Sequence, residues 1–102
     1  MKKLTIIVHT SLQQSLADCL RSIEQLDTFI FSHVEEHSRQ LEHDPFLSAH
    51  DRVVGYVPQV RVDVLLPDDA VATVMASIRH SKCNFKGKGL YWITDLPEAG
   101  EL

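Results

Sequence analysis

The sequence has little cysteine, no long apolar run and no excess of positive charge, and each shortage excludes a class of protein. Its two cysteines, Cys19 and Cys83, lie far apart and outside any C-x-x-C arrangement, which excludes a disulfide framework and a copper-chaperone loop. No window approaches the roughly 20 consecutive apolar residues of a membrane span. The net charge of -4 argues against nucleic acid or anionic membrane as a partner, because both bind clustered Lys and Arg. We therefore expect a protein of the reducing cytoplasm.

Catalytic motifs are also missing, and we do not expect an enzyme. An acylphosphatase would need a glycine-rich, arginine-containing loop where this chain has His9-Thr10-Ser11. No serine stands in a nucleophile-elbow context. The short apolar run after Lys2 and Lys3 stops at His9, which is too early for a signal peptide. A buried first strand explains that run better.

What is present fits one domain at 1–102, because 102 residues with 44% apolar content suffice for a single core. Residues of strand and helix periodicity alternate along the chain. Ser11 with Gln14 forms a capping-box pattern at the start of the first helix. The predicted strands are Leu4–His9, Phe29–Glu35, Gln59–Leu66 and Leu90–Thr94, and the predicted helices run from Ser11 to Leu26 and from Pro67 to about Lys82. This order predicts an α+β ferredoxin-like βαββαβ sandwich, with two helices on one face of a four-stranded antiparallel sheet.

The second face of that sheet is predicted to be too apolar for a monomer. Its expected residues are Ile7, Phe29, Phe31, Leu65, Tyr91 and Ile93. A contiguous apolar surface of this size is usually buried in an interface. We therefore predict a closed homo-oligomer.

A long polar segment at about 37–57 separates the second and third strands and carries His37, His43 and His50. Connections of this length are uncommon in compact domains unless they have a function. We therefore expect the function to depend on this loop.

Imidazole and carboxylate groups at the start of this loop suggest a metal site. Alternation along a strand places His33, Glu35 and His37 on one face, with neighbours about 6.6–7 Å apart along the chain. These ligand types suit divalent Zn, Cu, Ni or Co. The candidate metal ligands are His33, Glu35, His37, His43 and His50. Two other interpretations stay open: solvent-exposed or partner-contacting histidines, and histidines with a structural hydrogen-bonding role.

Four stretches resemble a known family. They are Phe31–Ser38, Leu47–Gly55, Val62–Pro67 and Tyr91–Leu102. They resemble the PII-like signalling superfamily, and within it a small bacterial family of uncharacterised function, often encoded beside heavy-metal efflux pumps. The resemblance implies a homotrimer whose loops read a small ligand and engage a membrane transporter, here an inner-membrane efflux component, or an enzyme.

The sequence departs from the nucleotide-binding members of that superfamily. They carry a Gly-Asp-Gly-Lys turn before the last strand, whereas this chain has Gly87-Lys88-Gly89-Leu90. Lys86, Gly87, Lys88 and Gly89 remain a candidate anion-binding turn, or an ordinary turn with solvated lysines. We do not expect nucleotide binding.

Three functions stay open. The first is a PII-like trimeric regulator or sensor linked to heavy-metal homeostasis through its histidine-bearing loop. The second is a metal-binding tolerance or buffering protein of the same fold without a dedicated partner. The third is a structural oligomer without a ligand.

Overall fold

The computed structural model of the chain describes residues 1–39, 55–83, 85 and 89–102. Within these ranges one four-stranded sheet is formed by β1 (Lys2–His9), β2 (Ile30–Glu36), β3 (Val57–Leu66) and β4 (Leu90–Asp95). The helices are α1 (Gln13–Arg21) and α2 (Val71–Arg79). The strand order is β2-β3-β1-β4, and every neighbouring pair is antiparallel. The predicted ferredoxin-like plan is confirmed.

The core lies between the helices and the two central strands, β1 and β3. Every second residue of each strand points to the helix side, and these residues are apolar. The fully or nearly fully buried core residues of these strands are Leu4, Ile6, Val8, Val60, Val62, Val64 and Leu66. The helices contribute Leu16, Leu20, Val74, Met75 and Ile78. Neither helix in the described ranges is long and apolar enough to cross a membrane.

The first helix is shorter than predicted, and its start differs. Thr10–Leu12 form a 3-10 turn, and the backbone N–H of Ser11 donates to His9 Nδ1 at 3.1 Å. The capping box of Ser11 and Gln14 is therefore wrong, because a histidine supplies the cap acceptor. Gln14 donates instead to Asp18 Oδ1, at 2.9 Å.

Both helices end earlier than their apolar periodicity suggested. The hydroxyl of Ser22 donates to the carbonyl of Cys19 at 2.6 Å, just after the end of α1, and Ile23 and Leu26 are buried outside the helix. The hydroxyl of Ser81 donates to the carbonyl of Ile78 at 2.7 Å after α2. These side-chain bonds satisfy carbonyls that a longer helix would have paired. The strand bounds differ from the predicted ones by two residues at most.

The predicted second face needs a larger correction. Four of its six residues lie on the helix side: Phe29, Phe31, Tyr91 and Ile93. The two phenylalanine rings pack edge to face, with centroids 5.9 Å apart, against the core. Tyr91 and Ile93 pair with Ile6 and Leu4, whose side chains belong to the core. The error is one of phase, because alternation divides a strand into two faces without saying which face meets the helices.

The open face, opposite the helices, is nevertheless rich in exposed apolar side chains. Ile7 and Leu65 lie there as predicted. Register adds three more residues, since each of them pairs with a residue of that face: Ile30, Leu90 and Trp92. Ile30, Leu65, Leu90 and Trp92 retain between 41% and 69% exposure.

Candidate functional site

The end of β2 brings together two of the predicted site residues. His37 Nε2 lies 3.0 Å from Glu35 Oε1. The imidazole also contacts the ring of Tyr56, with centroids 5.6 Å apart and planes tilted by 36°. Both members of the pair are exposed, so a charged pair contributes at most about 1 kcal/mol to stability. The pair is better placed to meet a ligand than to hold the fold.

His33 shares the helix side with Glu35, as predicted, since it pairs with the core residue Val60. It is exposed. Across the part of the chain that the structure describes, no group of three or more His, Cys, Asp or Glu side chains is close enough to hold a metal ion. His43 and His50, the other predicted ligands, lie outside the described residues.

The candidate anion-binding turn falls mostly outside the described residues, which exclude Lys86, Gly87 and Lys88. Gly89 is described and precedes β4. A Cβ built on Gly89 would lie 3.4 Å from Val8 Cγ1 and 3.5 Å from Phe85 Cδ1, which is ordinary packing contact. The turn's role in binding stays a prediction.

A second polar pair, which sequence reasoning missed, lies on the opposite side of the same strand end. Gln59 keeps only 5% of its surface exposed, and its Nε2 donates to Glu36 Oε2. The Oε1 atom of Gln59 is buried and has no hydrogen-bond partner. The two residues are 23 positions apart and not directly opposite, so only the strand register could have revealed the contact.

The centre of the open face is polar although its surroundings are apolar. Asp63 accepts hydrogen bonds from Thr5 Oγ1 at 2.7 Å and from Arg61 Nε at 3.0 Å. Burial raises the pKa of Asp63, but the bonds from Arg61 and Thr5 and the charges of Arg61 and Lys3 outweigh it, so the net pKa is below its usual value near 3.8. The Arg61 guanidinium also lies 5.9 Å from the ring centroid of Trp92. Asp63 is therefore charged at neutral pH.

An open cleft of about 500 Å³ lies between α1 and the start of β2. Gln13, Ala17 and Arg21 form one wall, and Phe29 and Phe31 form the other. None of the lining residues belongs to a predicted site. The Arg21 guanidinium is bonded to Asp18 at 3.2 Å, which partly neutralises the charge at this end of the cleft.

The two cysteines are free thiols, each half-buried and packed against the core. Burial, together with the nearby Cys19, raises the pKa of Cys83. A thiol held protonated in this way is a weak nucleophile and a weak metal ligand. The arrangement fits a packing role for both side chains.

A family profile described as "Protein of unknown function (DUF3240)" matches residues 1–102. The crystal structure of a DUF3240 family protein from Shewanella baltica OS155 is similar, with a TM-score of 0.71 and 18% sequence identity over 99% of this chain and 94% of that chain. At this identity the likeness shows the fold. No curated protein matches the chain.

Proposed function

The chain belongs to the DUF3240 family, a family of unknown function, and we propose that it is a PII-like homo-oligomeric regulator or sensor. Family membership agrees with the resemblance drawn from the sequence. In this proposal the open face joins the subunits, and the segment between β2 and β3 meets the ligand. The resemblance implies a homotrimer, and the two free cysteines favour the reducing cytoplasm.

The observation that carries the proposal is the Glu35–His37 pair. Its imidazole and carboxylate are exposed and face the same side, at the point where β2 leads into the segment of twenty residues before β3. An exposed imidazole with a carboxylate on one nitrogen is a common arrangement for a metal ligand or a proton switch. A ligand bound here would contact the start of the connecting segment directly.

The exposed apolar side chains of the open face support association. Leu65 lies two residues after Asp63 in β3, Trp92 pairs with Thr5, and each exposes more than two fifths of its surface. An isolated subunit would leave these side chains in water at a cost of roughly 25 cal/mol per Å². Burial against copies of the chain removes that cost.

Metal titration tests the ligand half of the proposal. We expect Zn(II), Cu(II) or Ni(II) to raise the Tm of the wild-type protein, because an ion that binds the folded state stabilises it. His33→Ala combined with His37→Ala should abolish the shift, whereas His80→Ala, an exposed histidine next to α2, should retain it. His43→Ala and His50→Ala test the remaining candidate ligands. A wild-type protein whose Tm responds to none of these ions would exclude the metal-sensing role.

A pull-down tests the partner half. The resemblance to a family encoded beside efflux pumps makes an inner-membrane efflux transporter the expected partner. Specific capture of a transporter component, lost in the His33/His37 double variant, would support the regulator. Metal binding without specific capture would favour the buffering protein instead.

A further inference from the structure

The Glu36–Gln59 pair presents acceptor atoms without a matching donor. The Nε2 group of Gln59 donates to the carboxylate of Glu36, and this bond fixes which way the amide faces. Turning the amide over would place one oxygen against another. The Oε1 atom therefore stays buried and unpartnered, an arrangement that costs free energy in the absence of a bound group.

The chemistry of Glu36 and Gln59 determines which kind of group can bind between them. The unpartnered atom is an acceptor on an amide that already binds a carboxylate, so an anion would be repelled. A metal ion would need further ligands, and the described residues hold no group of three His, Cys, Asp or Glu side chains that could bind one. A positively charged N–H donor satisfies the oxygen and the carboxylate together.

We propose that Glu36 and Gln59 form a binding site for a cationic N–H donor, an ammonium or guanidinium group, at the end of β2 and the start of β3. The site lies on the open side of the sheet. The Glu35–His37 pair occupies the opposite side of the same strand end, because consecutive strand residues point to opposite faces. The inference does not depend on metal binding, and either can fail without the other.

Occupation of this site has a structural consequence. Glu36 is the last residue of β2, and Gln59 is the third residue of β3. The strands are already paired at these residues, and a donor held between the two side chains adds one more contact across the pair.

The test compares two salts of equal charge at equal ionic strength. Methylammonium carries N–H donors, and tetramethylammonium carries none. We expect methylammonium chloride to raise the Tm of the wild-type protein by a few degrees relative to tetramethylammonium chloride, or to lower its molar mass in light scattering. Gln59→Leu keeps a side chain of similar size and should lose either response. Gln25→Leu, a change at an exposed glutamine, should retain it.

The two responses distinguish the source of the donor. A rise in Tm at unchanged molar mass identifies a free amine as the ligand. A fall in molar mass identifies a Lys or Arg side chain of a second copy, which the added amine displaces. Equal behaviour in the two salts, as expected if an internal water fills the site, overturns the inference. So does a methylammonium response that survives in Gln59→Leu.

Discussion

Thr5 has no exposed surface although it lies on the face away from the helices. It is flanked in the sheet by Asp63 on β3 and Trp92 on β4. Its hydroxyl donates to a carboxylate that Arg61 also binds, so the polar centre satisfies itself within one subunit. Such a centre can be covered by another subunit without leaving an unpaired charge, since the charges are already paired.

Thr5→Val tests the hydrogen bond at this centre. Valine keeps the shape of threonine but loses the hydroxyl, so the variant should lose about 1–3 kcal/mol of unfolding free energy. Chemical denaturation measures the loss. Thr94→Val, at an exposed threonine of the same face, should change stability by less than about 0.5 kcal/mol. Equal losses of unfolding free energy in the two variants would show that the buried hydrogen bond adds no measurable stability.

The lowered pKa of Asp63 predicts that the stability of the fold depends on pH. Its pKa is lower in the folded protein than the usual value near 3.8, so its charged form stabilises the fold above that value. This contribution disappears as the pH falls through the folded pKa. The contribution is no more than about 1 kcal/mol, because a third of each side chain of the pair is exposed.

Denaturation of wild type and Asp63→Asn across the acid range measures this contribution. Wild type should be the more stable at neutral pH, and the difference should shrink as the pH falls below about 4. Parallel pH profiles of the two proteins would contradict the assignment.

In β3, the alternation of residue types predicts two different faces, but residue type alone does not predict the exposure of two adjacent leucines. Val62 and Val64 alternate with Arg61 and Asp63, and this pattern correctly separates a buried side from a polar one. The adjacent residues Leu65 and Leu66 are identical in type, yet one is 49% exposed and the other 0%. Their different environments follow from strand phase alone.

Leu65 and Leu66 therefore form a matched pair for mutagenesis. Leu66→Ala removes buried side-chain atoms from the core and should cost about 2–5 kcal/mol of unfolding free energy. Leu65→Ala should cost less than about 0.5 kcal/mol in the isolated subunit. Denaturation at low protein concentration measures both. Similar losses for the two variants would refute the assigned phase of β3.

The edge strands explain which predictions failed. The aromatic residues of β2 and β4 are apolar enough for either face, so composition could not assign them, and the pairing of Phe31 with Val62 decided the outcome. The two-residue repeat of side-chain direction along a strand was sufficient to predict that Glu35 and His37 lie on the same face of the sheet. The Glu36–Gln59 contact required the register between two strands, which no local pattern in one sequence contains.

All six residues of β4 are exposed in the isolated subunit, which is not so for any of the other strands described here. Leu90 and Trp92 are exposed on the open side, and Tyr91 and Ile93 are exposed on the helix side. A strand that is apolar on both sides and lies at a sheet edge is a site of association. On the helix side, Arg79 covers part of Tyr91. Its guanidinium donates to Tyr91 Oη at 3.0 Å and lies 5.6 Å from the centroid of the tyrosine ring.

Glutamate substitutions on one face of β4 at a time test which face forms the subunit interface. If the open face is the interface, Trp92→Glu combined with Leu65→Glu should reduce the molar mass in light scattering to that of a monomer, because buried unpaired carboxylates oppose association. Tyr91→Glu is the matched control: it lies next to Trp92 in the same strand and leaves Arg79 a partner. We expect this control to keep the oligomeric mass. Dissociation by Tyr91→Glu but not by the double variant would place the interface on the helix side. A wild-type protein that is monomeric at all concentrations would remove the basis for an oligomeric regulator.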